Sequence, residues 1–154
     1  MMYIRALVKD DIDQIMHLYK GPGDPVWSKK ALEDVLTGMI KGAYLAKVGF
    51  DEATGQVIAY AVASHVFDQG DVQHITVEQS FRGRGLGRQL LQGLVDGLVA
   101  QGVGTVFLEV RPSNGAAVHL YQSMGFVCIQ KRQGYYPGVD GVREDAWVFS
   151  LTCL

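Results

Sequence analysis

The segment Arg82-Gly83-Arg84-Gly85-Leu86-Gly87-Arg88 constrains the fold more than any other, because it joins a β-rich run, His74-Ile75-Thr76-Val77, to a helical run beginning at Gln89. Glycines in a strand-to-helix turn let a backbone approach its ligand closely, and the N–H groups exposed there hold phosphate. A solvated turn is the plain alternative. The sequence on either side decides between the two.

Upstream, residues 3–6 read as a short strand, and Asp10 can cap a helix whose Ile12, Ile15, Met16 and Tyr19 share a face until 21–25 (Gly-Pro-Gly-Asp-Pro) stops it. Ser28 is an N-cap candidate for a second helix carrying Leu32, Val35, Leu36 and Met39 to Gly42. Residues 43–50 and 57–64 are β-rich and flank a turn at 51–55, and 71–77 supplies the next strand. After the glycine turn, Leu90, Leu91, Leu94, Val95 and Leu98 recur at helical spacing. Residues 105–110 return as a strand, Asn114 opens a helix ending at Gly125, and 126–129 and 146–151 complete the strands around an irregular loop, 133–143. This order predicts an α/β fold: a mixed, mostly antiparallel sheet flanked by helices, with a strand-helix-strand unit at its centre. Residues 1–154 are expected to form a single domain.

A formal net charge of −2, with no block of like charge, argues against nucleic acid as a partner, so Arg82, Arg84 and Arg88 around one turn indicate a small anionic ligand. Cys128 and Cys153 have no zinc-ligand or disulfide spacing, the four histidines have no ligand spacing, and no metal is expected. Charges at Arg5, Lys9, Asp10, Asp11 and Asp13 leave no apolar leader, and charge or glycine breaks each longer apolar run. A cytoplasmic protein without a membrane partner is the expectation.

Glycine register excludes the familiar alternatives. A dinucleotide turn needs a third glycine where Leu90 or Arg88 stands, and no GxxxxGK occurs. Glu109, at the end of the next strand, is therefore not read as a ribose carboxylate. Arg82-x-x-Gly85-x-Gly87 after Ile75-Thr76-Val77 instead resembles the acetyl-CoA signature of the GNAT N-acetyltransferases. Leu108-Glu109-Val110-Arg111-Pro112-Ser113-Asn114, Leu120-Tyr121, Gly125-Phe126, Tyr135-Tyr136-Pro137 and Glu144-Asp145-Ala146 are further similar to the bacterial RimI-type ribosomal-protein alanine N-acetyltransferases, over nearly the whole chain. Thr76, Gln73 and His74 depart from that pattern, which bears on the acceptor more than on the reaction.

The resemblance implies acetyl-CoA as co-substrate, bound by Ile75, Thr76 and Val77, by Gly83, Arg84, Gly85, Leu86, Gly87 and Arg88, and by Asn114. It also implies Glu109 as general base and Tyr121 as general acid. The implied acceptor is a protein N-terminal amine, such as the alanine of a small-subunit ribosomal protein. A small-molecule amine acetyltransferase and a non-catalytic acetyl-CoA-binding module stay open, as does the oligomeric state. Proton bookkeeping sets the chemical problem: an ordinary glutamate lies about 3.5 pKa units below an α-amine, roughly 4.8 kcal/mol uphill for direct transfer. Glu109 is therefore expected to be partly desolvated or to work through water. A tyrosine protonating a departing thiolate faces a smaller mismatch of about 2 kcal/mol. Tyr135 and Tyr136 are expected either to wall a peptide slot or to clip the last hairpin.

Overall fold

A computed structural model of the chain describes residues 2–18, 27–136 and 141–153. Tyr19, the 21–25 turn and Pro137 lie outside the described residues. Among the described residues, seven strands form one sheet: β1 (Met2–Ala6), β2 (Tyr44–Asp51), β3 (Val57–Val66), β4 (Gln69–Val77), β5 (Thr105–Val110), β6 (Val127–Tyr136) and β7 (Glu144–Thr152), in the order β1-β2-β3-β4-β5-β7-β6. Only β4 and β5 run parallel, since α3 (Leu86–Ala100) carries the chain back between them; every other neighbour is antiparallel. The expected mixed α/β architecture is the one observed.

Strand alternation sends side chains to two cores. Ala46, Val48, Tyr60 and Val62 meet α1 (Ile12–Met16) and α2 (Lys29–Ile40) on one face of the sheet. Leu45, Ala59, Ala61, Val106 and Leu108 meet α3 on the other, with Tyr121 of α4 (Gly115–Ser123) in the same cluster. Leu90, Leu91, Leu94, Val95 and Leu98 form the buried stripe of α3, each burial contributing about 1.5–3 kcal/mol. Gly97 lets this helix sit close: a Cβ there would lie 2.6 Å from Leu45 Cδ2.

Three expectations are corrected. Helix α3 starts at Leu86, three residues before Gln89, because Gly85 caps it in a left-handed conformation (φ +77°). Asp10 does not cap the first helix. Its neighbour Asp11 is buried and accepts from the Val8 N–H at 2.9 Å and from both Arg5 Nη atoms at 2.7 and 2.8 Å, anchoring a 3-10 turn (Lys9–Asp11) ahead of α1. The strand expected at 126–129 extends through Tyr136, consuming the start of the expected 133–143 loop. Its polar composition suits an exposed sheet edge, and Gly134 (φ +59°) sits where its register against β7 slips, with its N–H accepted by Asp145 Oδ1 at 3.1 Å. Ser28, by contrast, caps α2 as expected, accepting the Ala31 N–H at 3.0 Å.

Replacing Asp11 with alanine removes three hydrogen bonds to a buried carboxylate and leaves the half-exposed Arg5 with its contacts to Ala6 O and the Phe50 ring. A loss of about 3 kcal/mol is expected, and thermal melting should show a Tm roughly 6–12 °C lower. An unchanged Tm would mean that this cluster does not hold α1 to the sheet.

Candidate active site

The site begins where the sheet splits. The β4–β5 ladder runs from Gln69↔Thr105 to Val72↔Leu108 and ends there. Strand β4 stays paired with β3 as far as Val77↔Ala59, and β5 with β7 as far as Val110↔Trp147. Gln73 marks the break: the register passes from Ala63↔Val72 to Val62↔His74, leaving Gln73 as a bulge residue whose Nε2 donates to Ser64 Oγ at 3.0 Å. A bulge increases local twist and ends pairing, so the two halves of the sheet diverge. Along β4 successive N–H groups address opposite edges. Glu78 N–H bonds Ile58 O at 2.7 Å, so the Val77 and Ile75 N–H groups face the opening.

A cavity of about 330 Å³ enters from the α3 side. It is lined by Ile75, Thr76, Val77, Gly83, Gly85, Leu86, Gly87, Arg88, Asn114 and Tyr121, among others, so the predicted cofactor residues converge apart from Arg84. Gly83 and Gly85 have φ near +78° (79° and 77°), and a Cβ on either would meet nothing, so glycine is required there by conformation alone. The first intrahelical bond of α3 is Gln89 N–H to Gly85 O at 3.2 Å, which leaves the N–H groups of 86–88 without intrahelical partners at the positive end of the helix.

The three arginines are not a simple charge cluster. Arg88 donates to Ser123 Oγ at 2.9 Å and Ser123 O at 3.3 Å, tying the first turn of α3 to the last of α4. The Arg84 guanidinium lies 5.1 Å over the Phe81 ring, and Arg82 Nε donates to Val77 O at 2.9 Å. The loop is braced by contacts from its arginines, and its backbone N–H groups line the cavity.

From the opposite face a second cavity, about 430 Å³, reaches the same opening and shares Ile75, Thr76, Asn114 and Tyr121 with the first. Glu109 and Tyr136 line it and also a contiguous third cavity of about 530 Å³ over the uncovered face of β5, β7 and β6. Tyr121, 6 % exposed, packs against Phe126 and Phe149, and burial, with Tyr136 nearby, pushes its hydroxyl up to about 12. Asn114 caps α4 by accepting the Ala117 N–H at 3.2 Å.

Glu109 is open to the cleft, its side chain 32 % exposed; Oε1 pairs with Arg132 Nη1 at 3.0 Å, and Tyr136 Oη donates to Oε2 at 3.5 Å. Tyr136 itself is raised, first by burial and then by Glu109, and the Arg111 guanidinium stacks 4.3 Å over its ring. Tyr135 is exposed and meets Tyr136 edge-on.

Thr76 and His74, both singled out in the sequence, are buried and join through Thr76 Oγ1 and His74 Nε2 at 2.6 Å, and His74 packs beside Tyr60 and Trp27. Sequence reasoning missed one structural tie. Glu144, quoted only as part of a motif, accepts from Ser113 N–H at 2.7 Å and Ser113 Oγ at 2.9 Å, and lies 3.7 Å from Arg111 Nη1. It locks the 111–114 loop that carries Asn114. Among the described residues, no group of three His, Cys, Asp or Glu is placed to hold a metal ion, and no helix is long and apolar enough to cross a membrane.

A sheet split at its one parallel pair, with an amide-lined cavity on one face and a carboxylate-bearing cleft on the other, describes a two-substrate transferase site. The profile of the acetyltransferase (GNAT) family matches residues 12–126, and the chain belongs to this family. It is 44% identical over 97 residues to the [ribosomal protein bS18]-alanine N-acetyltransferase of Escherichia coli K12, covering 63% of this chain and 65% of that enzyme's length. The enzyme of that name from Haemophilus ducreyi is 32% identical over 148 residues, 96% of this chain and 98% of its own. The crystal structure of the E. coli ribosomal-protein-S18-alanine N-acetyltransferase superposes with a TM-score of 0.85 at 35% identity, over 99% of this chain and 94% of that one. At 18% identity and a TM-score of 0.81, over 99% and 98% of the two chains, Arabidopsis thaliana NAA60, solved in complex with acetyl-CoA, shares the fold.

Hydrogen bonds from Ser113 hold the Glu144 carboxyl below the usual carboxylate range. A lowered folded pKa means this tie is complete above the ordinary value near ~4.3 and is lost as pH falls through the lower folded value. The Ser113 amide resonance should therefore titrate with a midpoint below about 4.3, and Glu144→Gln should abolish that titration. A midpoint at or above the ordinary value would contradict the clamp.

Proposed function

We propose that this chain is an acetyl-CoA-dependent N-α-acetyltransferase acting on a protein N-terminal amine, with the terminal alanine of a small-subunit ribosomal protein as the first acceptor to test. The observation that carries this reading is the meeting of two cavities at Ile75, Thr76, Asn114 and Tyr121, with Glu109 on the acceptor side only. Acetyl-CoA would enter past the glycine loop, its pyrophosphate on the N–H groups of 83–88 and its thioester at the split. The Val77 N–H, free of the β3 ladder, supplies an oxyanion donor there. The names of the relatives support the acceptor class. The contiguous acceptor cavities of about 430 and 530 Å³ favour an extended chain over a compact amine.

In this reading the amine nitrogen attacks the thioester carbonyl, its proton passes to Glu109, and the C–S bond breaks as Tyr121 stabilises the departing sulfur. Exposure of Glu109 to the cleft favours transfer through a bridging water. Tyr121, pushed up to about 12 by burial, stays protonated at any physiological pH. Full transfer to a thiolate whose thiol is near ~8.5 then costs roughly 4.8 kcal/mol, more than for an ordinary tyrosine. Hydrogen-bond donation to the developing thiolate is therefore its first contribution, with proton transfer completing departure.

Release of free thiol, followed with peptides differing in their first residue beside polyamine and amino-acid panels, tests the activity. Turnover with N-terminal alanine peptides is expected; release only with small amines would replace the acceptor class, and none with any acceptor would leave an acetyl-CoA-binding module. Glu109→Gln should lower turnover most at low pH, roughly 10²-fold or more, and Tyr121→Phe should lower kcat while acetyl-CoA binding by calorimetry persists. An unaltered pH–rate profile in the first variant, or lost binding in the second, would remove that residue from its role.

A further inference from the structure

We propose that Arg132 is a positioning residue that fixes the Glu109 carboxylate and biases the bound acceptor amine toward its neutral, attacking form; the inference rests on the acetyl-transfer reading above. Arg132 lies on the edge strand β6, and Glu109 on β5, with β7 between them. Register opposes Arg132 to Ala146 and Glu109 to Val148, two positions apart on β7 and so on one face of the sheet. Ala146 is fully buried and has no side chain beyond Cβ, which lets the arginine stem cross the middle strand. Nη1 then reaches Glu109 Oε1 at 3.0 Å, and the guanidinium has a second anchor in the Tyr135 ring at 5.4 Å.

An ion pair this exposed contributes little to stability. Its consequence is the charge it places in the cleft. With Oε1 paired to Arg132 at 3.0 Å, Oε2, which holds only the longer 3.5 Å contact from Tyr136 Oη, is the oxygen better placed to receive the amine proton, directly or through water. A substrate ammonium brought to Oε2 stands beside a guanidinium, and like charge disfavours the protonated amine. The other ionisable groups facing this position are Tyr136 from β6, Arg111 at the end of β5, Tyr121 from α4, and Asp71 and His74 from β4. The two tyrosines stay neutral, both being raised by burial, Arg111 is stacked on Tyr136 and beside Glu144, and the Asp71 carboxyl is itself raised by burial. Arg132 is the guanidinium that pairs with the carboxylate directly. Its positive charge beside the bound amine therefore raises the fraction of that amine in the neutral, attacking form.

The test compares kcat between about pH 6 and pH 9.5 for the wild type, Arg132→Gln and Arg132→Lys with a saturating alanine-terminated peptide. In Arg132→Gln the rising limb should move to higher pH by about one unit, a roughly tenfold loss of kcat at its foot that vanishes on the plateau. The KM for peptide should not rise, and Arg132→Lys should restore the wild-type limb. Coincident limbs, an equal loss at every pH, or a raised KM without displacement would overturn the inference. If Arg132→Gln lowers Tm sharply, the comparison is read in Arg132→Lys, which retains the cation, against Arg132→Met, which retains the stem. A wild type inactive on every amine would remove the acetyl-transfer reading and this inference with it; a shared limb in two active proteins removes this inference alone.

Discussion

The molecule depends on one interrupted ladder. Strands β4 and β5 pair for four residues and then part at Val72 and Leu108, where Gln73 is squeezed out as a bulge. A sheet continuously paired across these strands would place a wall of hydrogen-bonded backbone between the two faces. The split converts it into a passage with unpaired amides on one side and Glu109 on the other. Two substrates can then approach from opposite faces without competing for space, as direct transfer between them requires.

Much of the surrounding structure serves to keep that passage in shape. Arg88 joins α3 to α4 through Ser123, so the helix that presents the amides is tied to the helix that carries Tyr121. Glu144 holds the 111–114 loop through Ser113, and Asp145 holds Gly134 in the edge strand. These struts come from charged residues near the site, yet their partners are backbone groups and serines. The charges that remain in the cleft, Glu109 with Arg132 and Arg111 over Tyr136, lie on the side proposed for the acceptor.

The fold was legible in the sequence because its signals are local. The stripe of α3, the Ser28 and Asn114 caps and the strand 105–110 follow from spacing and capping chemistry alone. What was illegible is set by pairing between distant segments. Nothing in Gln73 announces a bulge, because the bulge exists only against Ala63 and Val62. The extension of β6 through Lys131 and Arg132 was hidden because an exposed edge strand needs no apolar alternation. The bracing contacts of the glycine-turn arginines, to Ser123, Phe81 and Val77, were equally hidden, because those partners lie on other elements or on the backbone. Glu109 and Tyr121 stood out through resemblance to a family, whereas the Arg132 contact across β7 required the sheet order.

The central claim is that acetyl donor and acceptor meet through the gap between β4 and β5. A crystal structure with a conjugate of CoA joined through an acetyl linker to the α-amine of an alanine-terminated peptide tests it most directly. The account predicts the pyrophosphate on the N–H groups of 83–88, the linker passing between Thr76 and Tyr121, and the peptide leaving along Glu109 over β7. A conjugate lying wholly on one face of the sheet, or a ladder closed beyond Val72 and Leu108, would contradict it.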